Sequence, residues 1–391
     1  MAAPDRSASR QERPRAATTH FPAIDGLRFV ASFGVLVHHV WNASDAVDDE
    51  VVGGLISHFE VLVAVFFLIS AFLLYLPWVS AHLEDRPLPA SGSFLKRRML
   101  RIIPAYWVAV VIIGLIAEDA VLFNDWADYV YYFGFLWIYS PAHLLAPITQ
   151  AWTVASEVVW YLILPILGLL VCRIPGPLSR KLKVQLVPIV LFAVSSFVFV
   201  VLTRDAGSDR LMYSQWLLTY MDCVAIGMLF AVIIAWQRLP NGPRLRVLDD
   251  RRIPAACWIV AFGGYIAVVL LAGLPVDRFR YTPTQYVWQH GCTVIFATLL
   301  LFPLVFGPLR EGRLRRFLAS RPMAWLGLVS YGIYLWHIYW IGRYQEWFDI
   351  APGRMSMPPA IVFVFVTTVI TAAASYYLLE RPIQRWGNRH R

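Results

Sequence analysis

Apolar runs about as long as a bilayer is thick recur from one end of the chain to the other. A membrane-crossing helix needs about 20 mostly apolar residues to traverse about 30 Å of hydrocarbon. Runs near that length lie at residues 24–42, 58–79, 102–120, 151–172, 187–203, 214–236, 254–274, 286–308, 323–342 and 358–378. The composition agrees, since 59% of the 391 residues are hydrophobic and only 15% are charged. The sequence therefore predicts an all-α, polytopic integral membrane protein with about ten transmembrane helices.

The basic residues are concentrated in alternate connections between these runs. If the N-terminus is cytoplasmic, most of the 34 Lys and Arg residues fall in cytoplasmic segments, as expected because positively charged loops are retained on that side. The sequence therefore predicts that both termini are cytoplasmic. The net charge of +9 follows from the same asymmetry. No soluble basic domain is indicated that would bind nucleic acid.

One membrane domain is predicted at residues 22–382, because no polar stretch is long enough to fold alone. Residues 1–21 are polar and basic and are not followed by a separate cleavable apolar core, which predicts a disordered cytoplasmic tail. Residues 383–391 are predicted to form a second cytoplasmic tail. Residues 125–145 are apolar and aromatic but interrupted by charge and proline, which favours an interfacial or re-entrant element. The four cysteines lack CxxC spacing, so we expect no metal site.

The first apolar run, DGLRFVASFGVLVHH, carries charged and titratable side chains toward the membrane. Arg28 and His39 are eleven residues apart, which places them within about 20° around an α-helix and about 16 Å apart along its axis. A polar stripe of this kind must line a protein interior or a wet cavity, because its exposure to hydrocarbon is costly. The first helix is therefore predicted to turn Arg28 and His39 toward its neighbours.

Two further runs bring titratable groups toward the depth of His39. Glu157 lies about two turns into WTVASEVVWYLILP, and His337 ends the motif SYGIYLWH. We expect His39, Glu157 and His337 to converge in the outer half of the membrane.

A basic cluster marks the opposite, cytoplasmic end. In FLKRRMLRIIPAYW, Arg98 and Arg101 lie near the depth of Arg28, whereas Lys96 and Arg97 are interpreted as charged anchors at the membrane surface. The sequence thus predicts a column that joins cytoplasm-facing arginines to buried bases.

Five motifs occur together in the chain: DGLRFVASFGVLVHH with its Arg28 to His39 spacing, FFLISAF, FLKRRMLRIIPAYW with Arg98 and Arg101 as R-x-x-R, WTVASEVVWYLILP and SYGIYLWH. With the closing segment LLERPIQRW, they resemble the acyltransferase-3 family of membrane O-acyltransferases over nearly the whole chain. The resemblance implies a bacterial plasma-membrane enzyme that takes an acyl group, with acetyl preferred, from cytoplasmic acyl-CoA. The acceptor it implies is a hydroxyl, commonly on a carbohydrate or a glycosylated product.

The chain departs from the family pattern in two places. Ala71 follows Ser70 where the family usually has glycine, and the extra methyl is expected to tighten helix packing or narrow the cavity. Some members of the family also carry an extracytoplasmic hydrolase-like domain. This chain stops at Arg391, so we expect a second activity to require another protein.

The chemistry implied by the resemblance suggests a role for the arginines and for His39. Coenzyme A is polyanionic, and guanidinium groups bind phosphate oxygens in a bidentate manner. The residues expected to bind it are Arg28, Arg98 and Arg101. A hydroxyl acceptor needs an aligned base, and histidine has the side chain best suited to that task near neutral pH. His39 is the candidate.

The remaining candidates would assist His39 or contact the substrates. Glu157 would fix the imidazole tautomer, while His337 or His38 would polarise the thioester carbonyl or orient the acceptor. Residues expected at the substrates are Ser70, Trp152, Tyr331 and Asp222. Direct transfer and an acyl-histidine intermediate both remain open.

Two other classes of protein could use a buried polar column. A secondary transporter or exporter of a small polar or glycosylated molecule is one, although the sequence shows no inverted repeat. A membrane receptor or scaffold is the other, and it gives no reason for bases and arginines at graded depths. For an acyltransferase, the acceptor remains open between a glycan, a glycolipid and a macrolide-type product.

Overall fold

The computed structural model describes residues 21–48, 50–116, 123, 125–144, 148–243, 250, 252–271, 274–276, 280–306, 312–351 and 353–389. Within those ranges the chain is helical, and Ser44 and Met355 form an isolated parallel bridge outside any strand. The α-helices are α1 (Pro22–Asn42), α2 (Glu50–Ser57), α3 (Leu62–Leu83), α4 (Ser91–Ile116), α5 (Trp126–Phe133), α6 (Trp152–Val171), α7 (Leu178–Thr203), α8 (Arg210–Ser214), α9 (Met221–Gln237), α10 (Arg252–Leu271), α11 (Pro283–Val305), α12 (Arg313–Leu318), α13 (Arg321–Leu328), α14 (Ser330–Trp347), α15 (Met357–Ser375) and α16 (Arg381–Arg389). A π-helical turn, Tyr376–Glu380, joins α15 to α16.

Eight helical segments among the described residues are long and apolar enough to cross a membrane. They are Pro22–Asn42, Gly53–Leu83, Thr149–Val171, Leu178–Thr203, Leu217–Gln237, Arg252–Leu271, Pro283–Val305 and Met357–Gly387. The all-α membrane class is therefore confirmed, whereas the count of ten spans and the orientation of the termini stay predictions.

The two predicted spans outside this set are the more polar ones. Helix α4 covers most of the run at 102–120 but begins with the basic segment that contains Arg97 and Arg98, and residues 117–120 lie outside the described part of the chain. The run at 323–342 is divided between α13 and α14, with a break at Val329. The prediction of one continuous helix there was wrong, because Gly327 packs against the backbone of Asp25 in α1 at the point where the chain bends.

Helix α3 lies at the centre of the bundle. In the most apolar stretch of the segment that contains α3, 78% of the residues are buried inside the protein, whereas the corresponding share for α10 is 11%. In α10, for example, Ile259 is 72% exposed and Leu271 is 84% exposed. A helix that is apolar on all sides and buried belongs to a core, whereas exposed apolar faces of this length suit contact with lipid. The central position of α3 places Ser70 inside the protein.

The segment predicted to be interfacial or re-entrant folds into short pieces. It contains α5 and two 3-10 turns, Trp137–Tyr139 and Pro141–His143, and residues 145–147 lie outside the described part of the chain. No piece is long enough to cross a bilayer. Trp137 is buried while Trp126 is 79% exposed, so the segment packs on the rest of the protein with one part and leaves the other part exposed.

The contact between α3 and α9 accounts for Ala71. A Cβ atom built on Gly227 of α9 would lie 2.8 Å from the Cβ of Ala71 and 2.5 Å from the carbonyl oxygen of Leu68. The methyl group that distinguishes this chain from the family pattern therefore fills the space left by a glycine on the facing helix. It tightens helix packing, which was one of the two expected outcomes.

We expect Gly227→Ala to lower the stability of the protein by about 1–3 kcal/mol, because overpacking forces the two backbones apart. Thermal unfolding in detergent measures the effect. The matched control is Gly263→Ala in α10, where an added Cβ meets no atom within 4 Å. Adding Ala71→Gly to Gly227→Ala should restore part of the loss. Equal melting temperatures for Gly227→Ala and Gly263→Ala would contradict this account of the interface.

Candidate active site

A pair of histidines joins α1 to α14. The Nδ1 atom of His39 lies 3.1 Å from the Nε2 atom of His337 and 2.9 Å from the carbonyl oxygen of Val35, one turn earlier in α1. The Nδ1 atom of His337 lies 3.2 Å from the carbonyl oxygen of Ile333. His337 is fully buried, with 0% of its surface exposed. The structure therefore brings together two of the three groups expected to converge.

The hydrogen-bond partners fix the tautomers of this pair. A carbonyl oxygen only accepts, so the proton of His337 lies on Nδ1 and its Nε2 carries a lone pair. The Nδ1–H of His39 then donates to two acceptors, the carbonyl of Val35 and the Nε2 of His337. In neutral His39 the remaining lone pair is on Nε2, which is the arrangement that a general base requires.

His39 lines a cavity at the end of the bundle where α1 ends. The cavity has a volume of about 450 Å³, which is within the usual range for small-molecule sites. His38 lines it too, and the Nδ1 of His38 lies 3.1 Å from the carbonyl oxygen of Ile56. We call it the histidine cavity. Other polar and aromatic residues of its wall are Glu60, Gln150, Trp152, Tyr220, His290 and Tyr334.

Two of the residues that we predicted to contact the substrates lie at the wall of this cavity or directly behind it. Trp152 lies with its ring 5.5 Å from that of Tyr220, so it contributes to an aromatic wall. Asp222 stands behind the wall, and its carboxylate lies 2.7 Å from the Nε2 of His290. The sequence predicts a role for Asp222 but not for His290, because a lone histidine in the run VWQHGC gives no sign of which side it faces.

A cluster of arginines lies toward the other end of α1. The groups that interact electrostatically there are Arg28, Arg98, Arg101, Glu157 and Tyr161. No ion pair among the described residues involves Arg28, Arg98 or Arg101. The Nε atoms of Arg28 and Arg98 are buried and have no hydrogen-bond partner in the described part of the chain. We call Arg28, Arg98 and Arg101 the arginine cluster.

Unpartnered guanidinium nitrogens are costly inside a protein, because a buried donor that makes no hydrogen bond loses its solvation without compensation. Guanidinium groups also stay charged at any physiological pH. An anion with several oxygen acceptors would supply the missing bonds. The arginine cluster is thus suited to binding phosphate groups.

Glu157 belongs to the arginine cluster's surroundings and not to the histidine pair. Its Oε1 atom accepts hydrogen bonds from Ser70 at 2.9 Å and from Tyr161 at 2.6 Å. The expected convergence of Glu157 with His39 was therefore wrong, and His337 occupies the position beside the imidazole that we had assigned to the carboxylate.

The depth at which α6 begins explains this difference. The side chain of Gln150 donates to the carbonyl of Leu335 at 2.6 Å, and Tyr334 donates to the carbonyl of Gln150 at 2.7 Å. The chain is therefore already inside the protein, near the depth of His337, before α6 starts. Glu157 follows seven residues later, about 10 Å further toward the arginines.

Tyr331 also lies on the arginine side. Its hydroxyl donates to the carbonyl of Ile102 at 3.0 Å, and it interacts electrostatically with Glu380. Glu380 is 5% exposed and accepts a hydrogen bond from Ser375 at 3.1 Å. Glu380 lies in the segment LLERPIQRW and was not predicted as a site residue, although a carboxylate at the end of an apolar run is a signal in itself.

The structure thus places a histidine pair at a cavity near the end of α1, and buried arginines of α1 and α4 toward its start. The sequence profile of the Acyltransferase domain family, acyltransferase-3, matches residues 21–378, and the chain belongs to that family. The resemblance found in the motifs is confirmed.

Curated relatives carry names of the same kind. The chain is 23% identical to the O-acetyltransferase OatA of Staphylococcus aureus over 387 residues, which is 94% of this chain and 58% of that protein. It is 24% identical to the putative peptidoglycan O-acetyltransferase YrhL of Bacillus subtilis over 392 residues, which is 95% of this chain and 56% of that protein. The chain thus spans less than two thirds of the length of these relatives. No solved structure matches the chain.

Proposed function

We propose that this enzyme transfers an acyl group, with acetyl preferred, from acyl-CoA to a hydroxyl group of a carbohydrate acceptor. The arginine cluster binds the phosphates of the donor at the cytoplasmic face of a bacterial plasma membrane, and the acceptor enters the histidine cavity. The observation that carries the proposal is the placement of both sites on α1, with Arg28 and His39 about 16 Å apart along the helix. The membrane family to which the chain belongs supports it.

The proposed chemistry uses His39 as the general base. The acceptor oxygen attacks the thioester carbonyl carbon, the carbon–oxygen bond forms, and the carbon–sulfur bond breaks. The hydroxyl proton passes to the Nε2 of His39 and then to the leaving thiolate of coenzyme A. The Nε2 of His337 accepts from the Nδ1–H of His39, so it keeps the tautomer and stabilises the imidazolium, as an orienting group does in other acyl-transfer sites. An acyl-histidine intermediate would use the same nitrogen of His39.

The lining of the histidine cavity supports a carbohydrate acceptor. Aromatic rings such as Trp152 and Tyr220 offer flat apolar faces, and Glu60, Gln150 and His290 offer hydrogen-bonding groups beside them. A sugar has apolar C–H faces, which can pack on the aromatic rings, and hydroxyl groups, which can bond to the polar side chains. A carbohydrate therefore uses both types of contact. The relative YrhL is named as a putative peptidoglycan O-acetyltransferase, which favours an envelope glycan over a glycolipid or a macrolide-type product.

The test uses purified protein in lipid nanodiscs with acetyl-CoA labelled in the acetyl group. We expect free coenzyme A to appear, and the label to be found as an ester, only when a glycan acceptor is added. Release of coenzyme A that does not depend on any acceptor would contradict the proposal. A second preparation in closed lipid vesicles tests the transporter alternative, against which the family membership stands. Uptake of the acceptor into those vesicles without acyl transfer would support that alternative.

A further inference from the structure

A second cavity lies at the end of the bundle where α1 begins. It is formed by the end of α3, the segment before α4, and the connection between α6 and α7, and its volume is about 570 Å³. We call it the basic pocket. The residues of its wall that matter here are Arg86, Leu88, Pro89, Arg173, Pro175 and Lys181.

A chain of hydrogen bonds holds the walls of the basic pocket together. Tyr75 donates to the side-chain oxygen of Gln185, whose Nε2 donates to the Nδ1 of His82 at 2.7 Å. The Nε2–H of His82 then donates to the carbonyl of Ile174 at 2.9 Å. Tyr75, His82 and Gln185 are buried. Every polar atom along this chain has a partner, so α3, α7 and the connection beside them keep fixed positions.

The charge of the basic pocket is positive. Lys181 has only 4% of its side chain exposed and pairs with Asp85 at 2.6 Å. Arg86 pairs with Glu84 outside the wall, at 2.5 Å. Arg173 is exposed and has no ion pair with any described residue. The wall therefore has three cations and one carboxylate, which suits an anionic ligand.

The basic pocket adjoins the arginine cluster through α4. Ser91 lines the pocket, and Arg98 follows seven residues later on the same helix, about 10 Å further into the bundle. The pocket and the cluster are thus about two helical turns apart along α4.

We propose that the basic pocket binds the phosphorylated adenosine half of the acyl-CoA donor. This inference rests on the proposed function. The adenine base packs between the apolar segments that contain Leu88, Pro89 and Pro175, while Arg173 faces the phosphate on the ribose. The pyrophosphate lies at the arginine cluster, and the pantetheine arm continues from there toward His39. The wall of the pocket contains both prolines and cations. It therefore suits a ligand that has one flat ring, which packs on the prolines, and several phosphates, which face the cations.

The experiment compares three thioesters in the nanodisc assay: acetyl-CoA, acetyl-CoA without its 3′-phosphate, and S-acetyl-pantetheine. For Arg173→Glu we expect KM for acetyl-CoA to rise about 10-fold, as for the loss of a charged contact, with no change for S-acetyl-pantetheine. The matched control is Arg180→Glu, an exposed arginine of α7 outside the pocket wall. We expect Ala90→Trp, which fills the pocket without changing its charge, to act like Arg173→Glu.

The outcomes separate this inference from the function on which it rests. If the wild-type protein uses none of the three thioesters, the proposed function itself fails. If it uses acetyl-CoA but Arg173→Glu behaves like Arg180→Glu, only the nucleotide site is wrong. If Arg173→Glu weakens binding and Ala90→Trp does not, the effect is long-range attraction of the donor and the pocket is not its binding site.

Discussion

Replacement of His39 by alanine is expected to lower the rate of acyl transfer by about 10²- to 10⁴-fold, the usual contribution of a positioned general base. His337 cannot take over the role of the lone pair on the Nε2 of His39, because His337 is buried behind it and already uses both ring nitrogens. The effect should fall on kcat, since the imidazole acts on the reacting hydroxyl and has no part in holding the donor phosphates. Initial rates with acetyl-CoA and a glycan acceptor measure it.

His38→Ala is the matched control for this variant. His38 lines the same cavity and adjoins His39 in sequence, but its Nδ1 faces the carbonyl of Ile56 and its ring lies beside Trp41. We expect a loss of less than about 10-fold for His38→Ala, as for a group that only orients a substrate. Size-exclusion profiles and melting temperatures of both variants should match the wild type. Full activity of a folded His39→Ala protein would remove His39 from the mechanism.

The shared face of Arg28 and His39 could be predicted because it depends only on the period of one helix. Eleven residues bring two side chains back to the same side of α1, whatever the rest of the protein does. Exposure of such a polar face to hydrocarbon is costly, so its burial inside the protein could be predicted as well. The arginine cluster could be predicted for a different reason, because a basic segment beside an apolar run lies at one end of the span.

The position of Glu157 could not be predicted because it depends on contacts between distant parts of the chain. The sequence suggests a helix that enters from the membrane surface, whereas the bonds between Gln150 and α14 start α6 inside the protein. His290 and Glu380 were missed for a related reason, since each is a single polar residue in an apolar run. Only tertiary packing shows that His290 lines the histidine cavity and that Glu380 lies near Tyr331.

Arg98→Ala is expected to raise KM for acetyl-CoA by about 10- to 100-fold, because a hydrogen bond to a charged group contributes about 1.5–3 kcal/mol. Arg98 is half-buried, its Nε has no partner among the described residues, and its guanidinium lies 5.9 Å from the ring centre of Phe94. A donor phosphate would complete its hydrogen bonds. Steady-state kinetics at saturating acceptor give KM and kcat separately.

Arg97→Ala is the matched control, since Arg97 is the preceding residue of α4 and is exposed. The same charge is removed one position away, so a general loss of attraction for coenzyme A would affect both variants alike. Arg98→Lys keeps the charge but not the planar fork, and we expect an intermediate KM. Because His39 is expected to act on kcat and Arg98 on KM, the two variants distinguish the histidine cavity from the arginine cluster. A fall in kcat at unchanged KM for Arg98→Ala would mean that the arginine cluster stabilises the transition state and does not hold the donor.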